Sequence, residues 1–291
     1  MPWVYKNGYY SLMLGVILLI IGSCKKYEAE IPAYIHIDAI TVTTDLLTQG
    51  SNSSKITDAW VYLDGSLIGV YELPTTFPII ANGQNKISIR AGIKVSGIAA
   101  SRAYYPFYST YETTVNLVPD STTTIIPSVS YQSWVTIPLI EDFDFSTAIA
   151  AFDTTSTSDT TFQTTTNVSE VFEGDGSAAI YLDNNHNYFE AFTAKTYELP
   201  KGGNPVYIEM NYKSDAKIYV GIVAVDGSTL IQVDPSIIIN PSENWNKIYI
   251  NLTNEVSTEY NSTEFKIYLA AINSDSLLQA SIYVDNFKVV Y

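Results

Sequence analysis

Cysteine is nearly missing from this chain. It occurs once in 291 residues, as Cys24, so no intramolecular disulfide can form and a disulfide-stapled scaffold is excluded. Histidine is scarce too, with only His36 and His186. His36 alternates outward between Ile35 and Ile37, and His186 belongs to the polar turn Asn184-Asn185-His186-Asn187. With no second histidine at metal-site spacing, a zinc centre is not expected. Positive charge is short as well: 15 Lys and Arg stand against 30 Asp and Glu, a net charge of −15. That balance makes a poor ligand for nucleic acid or for anionic lipid surfaces. There is no G-x-S-x-G elbow and no P-loop, and no segment of residues 34–132 has a convincing helical period. Acidic residues are numerous enough to leave a carboxylate pair for glycoside hydrolysis open, but no motif asks for catalysis, and the chain is expected to be a binding protein and not an enzyme.

What is present begins with Leu12–Ile21, an apolar run without a charge that closes on Ile21-Gly22-Ser23-Cys24. It is short for a bilayer span and ends in small residues, the pattern of the h-region and cleavage region of a secretory signal. Ile21-Gly22-Ser23-Cys24 resembles a bacterial lipobox, in which cleavage precedes a lipidated cysteine. The resemblance implies a signal peptide over residues 1–23, lipidation of Cys24, and an outer-membrane location through that lipid anchor, with the membrane face left open. The alternatives are an uncleaved anchor helix and a cysteine placed there by chance. Lys6 is the only charge before Cys24, so the mature chain would keep 14 of the 15 basic side chains and all 30 acidic ones, a net −16. With Cys24 acylated it would have no thiol. Residues 24–33 read as a tether. Glu28 and Glu30 resemble the acidic residues that follow the cysteine in surface-exported lipoproteins of Bacteroidota type, whereas Lys25 and Lys26 depart from that pattern.

From Tyr34 onward the period is two, as in Tyr34-Ile35-His36-Ile37-Asp38-Ala39-Ile40. Ala59–Leu63 runs into Asp64-Gly65, a hairpin turn signal, with a return strand over Leu67–Tyr71. After Asn82-Gly83, Ile87, Ile89, Ala91 and Ile93 share one face, and Ser88, Arg90 and Lys94 take the other. Tyr111–Leu117 and Thr122–Val129 complete a first β-sandwich over residues 34–132. The segments Val61–Gly69, Leu73-Pro74 and Asn82–Arg90 resemble a PEGA-type repeat, which implies a small spacer sandwich that presents something else. The loop Arg102–Tyr111, with aromatics at Tyr104, Tyr105, Phe107, Tyr108 and Tyr111, admits two readings. It is either a contact surface for a protein partner, with Tyr104, Tyr105, Phe107 and Tyr108 as its residues, or a cover for the sandwich end or a domain junction.

A boundary near Ser133 opens a second domain, residues 133–291. Its signature is an aliphatic-Tyr-aliphatic triplet that recurs as Ile180-Tyr181-Leu182, Val206-Tyr207-Ile208, Ile218-Tyr219-Val220, Ile248-Tyr249-Ile250, Ile267-Tyr268-Leu269 and Ile282-Tyr283-Val284. In a strand both aliphatics face one way and the Tyr the other, so the aliphatics build an inter-sheet core and the tyrosines stand on outer faces. About eight antiparallel strands of this kind suggest a jelly roll. The fold class is therefore all-β, two β-sandwich domains behind a lipoprotein signal peptide, the second a jelly roll. Glu141-Asp142-Phe143, Phe172–Ile180 and Tyr283-Val284-Asp285-Asn286-Phe287 together resemble jelly-roll carbohydrate-binding modules. That resemblance implies glycan binding on a concave sheet face or at loop tips, and a structural calcium ion where the first and last strands meet.

The candidate ligand-binding residues are Tyr207, Tyr219, Tyr249, Tyr268, Tyr283 and Trp245, because an aromatic face stacks on the apolar face of a pyranose. Tyr is equally a favoured residue on a half-exposed strand face. Candidate calcium ligands are Asp142, Glu173, Asp175 and Asp285, which could also be a solvated acidic rim. Three function classes follow. The first is a lipid-anchored protein that presents a glycan-binding domain on a stalk. The second is a structural or adhesive surface lipoprotein with a protein partner, and the third a jelly-roll glycosidase or lyase.

Overall fold

The structure, a computed structural model, describes residues 30–144, 151–259, 261–273 and 278–291. Cys24, the expected signal peptide and most of the tether lie outside the described residues. Among the described residues no helix is long and apolar enough to cross a membrane. The fold is all-β, in two sandwich domains.

The first domain holds β1 (Ala33–Ile37), β2 (Thr41–Thr43), β3 (Asp58–Leu63), β4 (Ser66–Glu72), β5 (Thr75–Ile79), β6 (Gly83–Lys94), β7 (Arg102–Tyr104), β8 (Tyr111–Leu117), β9 (Thr122–Thr124) and β10 (Ser128–Ser130), with a one-turn helix α1 (Leu46–Gln49) after β2. One sheet runs β4-β3-β6-β7, with β8 also on β6; against it lie β5-β1-β9 and β10-β2. The Asp64-Gly65 hairpin forms as its sequence requires, with positive φ of 47° and 85° at the two turn residues, the combination a type I′ turn needs. Ile87, Ile89, Ala91 and Ile93 all point into the core. The expected strand over Thr122–Val129 is two short strands instead, each paired in parallel, to β1 and to β2.

The second domain contains β11 (Leu139–Glu141), β12 (Phe152–Thr154), β13 (Gln163–Thr165), β14 (Ser177–Asp183), β15 (Tyr188–Thr193), β16 (Tyr207–Ser214), β17 (Lys217–Asp226), β18 (Thr229–Gln232), β19 (Ile237–Ile239), β20 (Ser242–Asn251), β21 (Glu264–Ile272) and β22 (Gln279–Val290), with a short helix α2 (Thr253–Thr258). Two antiparallel sheets face each other: β13-β14-β22-β16-β20, with β11 on β22, and β12-β15-β21-β17-β18, with β19 on β17. All twelve aliphatics of the six triplets are buried in the one core between these sheets. The period-two pattern thus places the core as expected.

A bulge in β22 departs from that period. The register of β16 against β22 shifts between Glu209 and Asn211, where Asn286 has a φ of 50°. An extra residue in one strand lets two side chains three apart share a face. Asp285 and Lys288 do so, and both turn toward the first domain, while Phe287 enters the core.

Candidate functional site

The outer tyrosines meet three different fates, set by what covers each sheet. Tyr207 and Tyr249 lie on the β14-β22-β16-β20 sheet where the first domain docks. Tyr105 packs edge-on to Tyr207 at 5.3 Å and tilted against Tyr249 at 4.8 Å, and Phe107 meets Tyr207 at 5.8 Å. The Tyr105 and Tyr131 hydroxyls both donate to Glu209 Oε1, at 2.7 and 2.6 Å. Lys247 Nζ is 3.2 Å from Glu209 Oε2. Lys288 Nζ lies 5.4 Å from the Tyr131 ring centroid and donates to the Ser51 carbonyl at 2.6 Å. Glu209, Lys247 and Lys288 are all buried. Burial pushes the Glu209 carboxyl up, but Lys247, Lys288 and the two tyrosine hydroxyls outweigh it and hold the group below the usual carboxylate range. Burial lowers Lys288 to about 8.

This junction corrects two expectations. Tyr105, Phe107 and Tyr108 are buried within the protein and offer no surface to an external partner. Tyr104 is 40% exposed, but it lies against its own domain, 5.6 Å from Trp60 and under the Arg90 guanidinium. Tyr207 and Tyr249 are likewise covered and cannot stack on a ligand. The stretch is a domain junction because its rings find a second aromatic face to bury against, which gains more than solvation of their hydroxyls would.

Tyr283 and Trp245 lie farther along the same sheet, 6.4 Å apart. Phe172 covers Trp245 at 5.4 Å, Tyr181 meets Tyr283 at 6.4 Å, and Lys213 Nζ lies 5.7 Å from the Tyr283 ring. Tyr283 is only 8% exposed. These rings form a small packed cluster under the loop before β14, not an open platform.

The second sheet is different, because the aromatic cluster on it is made by its own strands. Tyr219 and Tyr268 stand on its outer face with Tyr188 and Phe192. Cross-strand register makes two adjacent rows: Phe192, Tyr268 and Gly221 in one, Glu190, Ala270 and Tyr219 in the next. At Gly221 a Cβ would come within 2.7 Å of the Tyr268 ring, which occupies that space. Tyr268 donates its hydroxyl to the Val233 carbonyl at 3.1 Å, and burial pushes that hydroxyl up to about 12. Tyr188, Phe192 and Tyr219 remain partly exposed.

On the same face Glu190 is buried. Its Oε1 accepts from Gln232 Nε2 at 2.9 Å, and its Oε2 from the Thr155 and Thr157 hydroxyls at 3.1 and 3.4 Å. Burial first, then Glu190, raises the Tyr188 hydroxyl well above its ordinary range. Half-exposed rings beside a fixed carboxylate offer stacking faces of the kind that pack on the apolar face of a sugar ring. Tyr188, Glu190 and Phe192 were missed from sequence, although Tyr188-Phe189-Glu190-Ala191-Phe192 alternates with period two and puts those three on one face.

The expected calcium ligands are partly brought together. Asp142, Glu173 and Asp285 line one cavity of about 300 Å³ with Asp144, Gly174 and Asn286 and, from the first domain, Thr44, Leu46 and Gly50–Asn52. Asp175 does not line it; only its backbone N–H is engaged, donating to Asp144 Oδ1 at 2.7 Å. Asp285 accepts from the Ser177 hydroxyl at 2.6 Å and the Asn286 N–H at 2.7 Å, and Glu173 accepts from Asn286 Nδ2 at 2.8 Å. Burial raises Asp285 to about 7. The all-oxygen donor set suits calcium, but the spacing does not: among the described residues no three metal-ligating side chains are grouped closely enough to hold an ion.

No family model and no curated protein matches the chain. Several solved structures resemble about half of it. A xylan-binding domain from Paenibacillus barcinonensis is 13% identical, with a TM-score of 0.37, over 52% of this chain and 97% of that one. A family 11 carbohydrate-binding module from Clostridium thermocellum is 15% identical, with a TM-score of 0.34, over 54% of this chain and 95% of that one. The enzymatically active domain of bacteriophage CBA120 tailspike protein 4 is 12% identical, with a TM-score of 0.36, over 47% of this chain; the chain covers 18% of it. Likenesses this distant leave the functional reading to the geometry of the chain itself.

Proposed function

We propose that the protein is a lipid-anchored, glycan-binding protein of the outer membrane, with the jelly roll as binder and the first sandwich as the stalk that presents it. The observation that carries the reading is the outer sheet face where partly exposed Tyr188, Phe192 and Tyr219 surround buried, triply hydrogen-bonded Glu190. The spacer role of the PEGA-type resemblance and the lipobox at Cys24 support the anchored arrangement. The chain's net charge of −15 disfavours polyanionic glycans, so the ligand class is a neutral glycan. The role is binding and not turnover.

A glycan array on residues 25–291 tests this. The expected result is selective binding of neutral oligosaccharides that Glu190→Ala weakens by about tenfold or more, through loss of the group that fixes the surrounding rings. Release of new reducing ends from a bound glycan would instead point to a glycosidase or lyase, and an array without hits would contradict glycan binding. Processing is tested with Cys24→Ala, which is expected to block cleavage and release the protein from the membrane fraction; a variant still processed and membrane-bound would contradict lipidation.

A calcium ion at Asp142, Glu173 and Asp285 is a separate proposal. It requires these side chains to draw inward, and a melt in millimolar calcium against one in EDTA decides it: a higher midpoint in calcium supports the ion, and coincident melts contradict it.

A further inference from the structure

Three aliphatic side chains stand exposed at one end of the first sandwich: Ile31 at 63%, Ile80 at 57% and Val118 at 47%. Single exposed aliphatics need no explanation, but these three share one end by register. Ala33 pairs with Ile79, so Ile31 and Ile80 both run off the same end of that sheet. The Asp120 N–H donates to the Pro32 carbonyl at 2.9 Å, and Gly83 pairs with Leu117. Those two contacts bring the Val118–Asp120 turn and the loop before β6 to the same place.

That end is where the described chain begins, at Glu30. Cys24 lies six positions upstream, at most about 20 Å of extended chain. The opposite end faces the second domain. The twelve residues of β6 start at the tip and run about 40 Å toward the junction, where Val95 bridges to Tyr249. The three loops carry Glu30 and Asp120 but no Lys or Arg, so a contact there would be apolar and would owe nothing to anionic headgroups.

We propose that Ile31, Ile80 and Val118 form a membrane-facing tip that seats in the interfacial layer of the bilayer holding the Cys24 lipid. This rests on the lipid-anchor reading above. The tip fixes the stalk upright, with the jelly roll held away from the lipid surface.

The mature chain has no free thiol once Cys24 is acylated, so one introduced cysteine can be labelled alone. The full chain is expressed as Ile80→Cys, as Val118→Cys and, at the far end of the second domain, as exposed Asn184→Cys. Each is labelled with a polarity-sensitive nitrobenzoxadiazole probe and reconstituted in phosphatidylcholine vesicles that contain a nitroxide-labelled lipid. The probes at 80 and 118 are expected to emit to the blue and to be quenched about twofold or more relative to 184, as for groups 5–10 Å into the interface. Equal, water-like emission at all three positions in membrane-bound protein overturns the tip and leaves the anchor standing. Failure of all three to enter the membrane fraction overturns the anchor and the tip with it.

Discussion

Glu209→Ala is expected to destabilise the protein by about 3–5 kcal/mol, the range for removing one partner of a buried ion pair. Glu209 is fully buried and paired with buried Lys247, with Lys288 close enough to act on its charge. Its removal leaves the Lys247 ammonium without its ion-pair partner, Lys288 with the weaker pull of Glu173, and the Tyr105 and Tyr131 hydroxyls without their acceptor. The residues span both domains, so the loss should loosen their junction as well as lower the midpoint of guanidinium unfolding. The pH dependence has a definite sign. Burial already lowers Lys288 to about 8, so its folded form releases a proton that the unfolded chain still holds, and stability rises with pH above about 8. Without Glu209 that release begins at lower pH. The deficit of the variant should therefore shrink as pH rises toward 8. Glu209→Gln keeps an acceptor for the tyrosines and should sit between the two. A loss under about 1 kcal/mol for Glu209→Ala, the scale of exposed pairs, would contradict a buried network.

The second large effect concerns Asp285. Its folded-state pKa is raised from 3.8 to about 7 by burial. Between those values the folded protein keeps a proton that the unfolded chain has lost, so this group's stabilising contribution is complete below about 4 and gone above about 7. The difference is on the order of 4 kcal/mol at 1.36 kcal/mol per unit. Asp285→Asn should remove this slope, and the variant should be more stable than the wild type at pH 8. The readout is the wild-type-minus-variant difference in urea unfolding at a series of pH values. Parallel profiles would show that Asp285 is solvated and its charge unpenalised. Saturating calcium should flatten the wild-type slope as well if an ion binds beside Asp285.

Local patterns were legible in the sequence and coverings were not. The Asp64-Gly65 hairpin, the inward face of β6 and the twelve core aliphatics of the triplets depend on period and turn chemistry within a few residues. Tyr207, Tyr249 and Tyr219 obey the same period-two rule, yet two are buried and one is half-exposed. The difference comes from Tyr105 and Phe107, a hundred or more positions away in sequence. Glu209 reads locally as a surface acid on an outward strand position; only docking of the first domain buries it. The bulge at Asn286 changes the phase of β22, so alternation alone would have sent Asp285 and Lys288 to opposite faces. Tyr188, Glu190 and Phe192 were missed for another reason: their strand carries the aromatics outside the aliphatic-Tyr-aliphatic triplet, although the alternation was there to read.

The most direct test of the glycan-binding face is calorimetric titration of residues 25–291 with the best array ligand, on wild type, Tyr219→Ala and Trp245→Ala. Tyr219 stands half-exposed on the outer face of the second sheet, and Trp245 on the sheet that docks the first domain. The expected result is an affinity loss of about tenfold or more for Tyr219→Ala, as for an aromatic binding hot spot, with Trp245→Ala binding as wild type. Undiminished binding by Tyr219→Ala, together with loss in Trp245→Ala, would place the ligand on the other sheet and contradict this site.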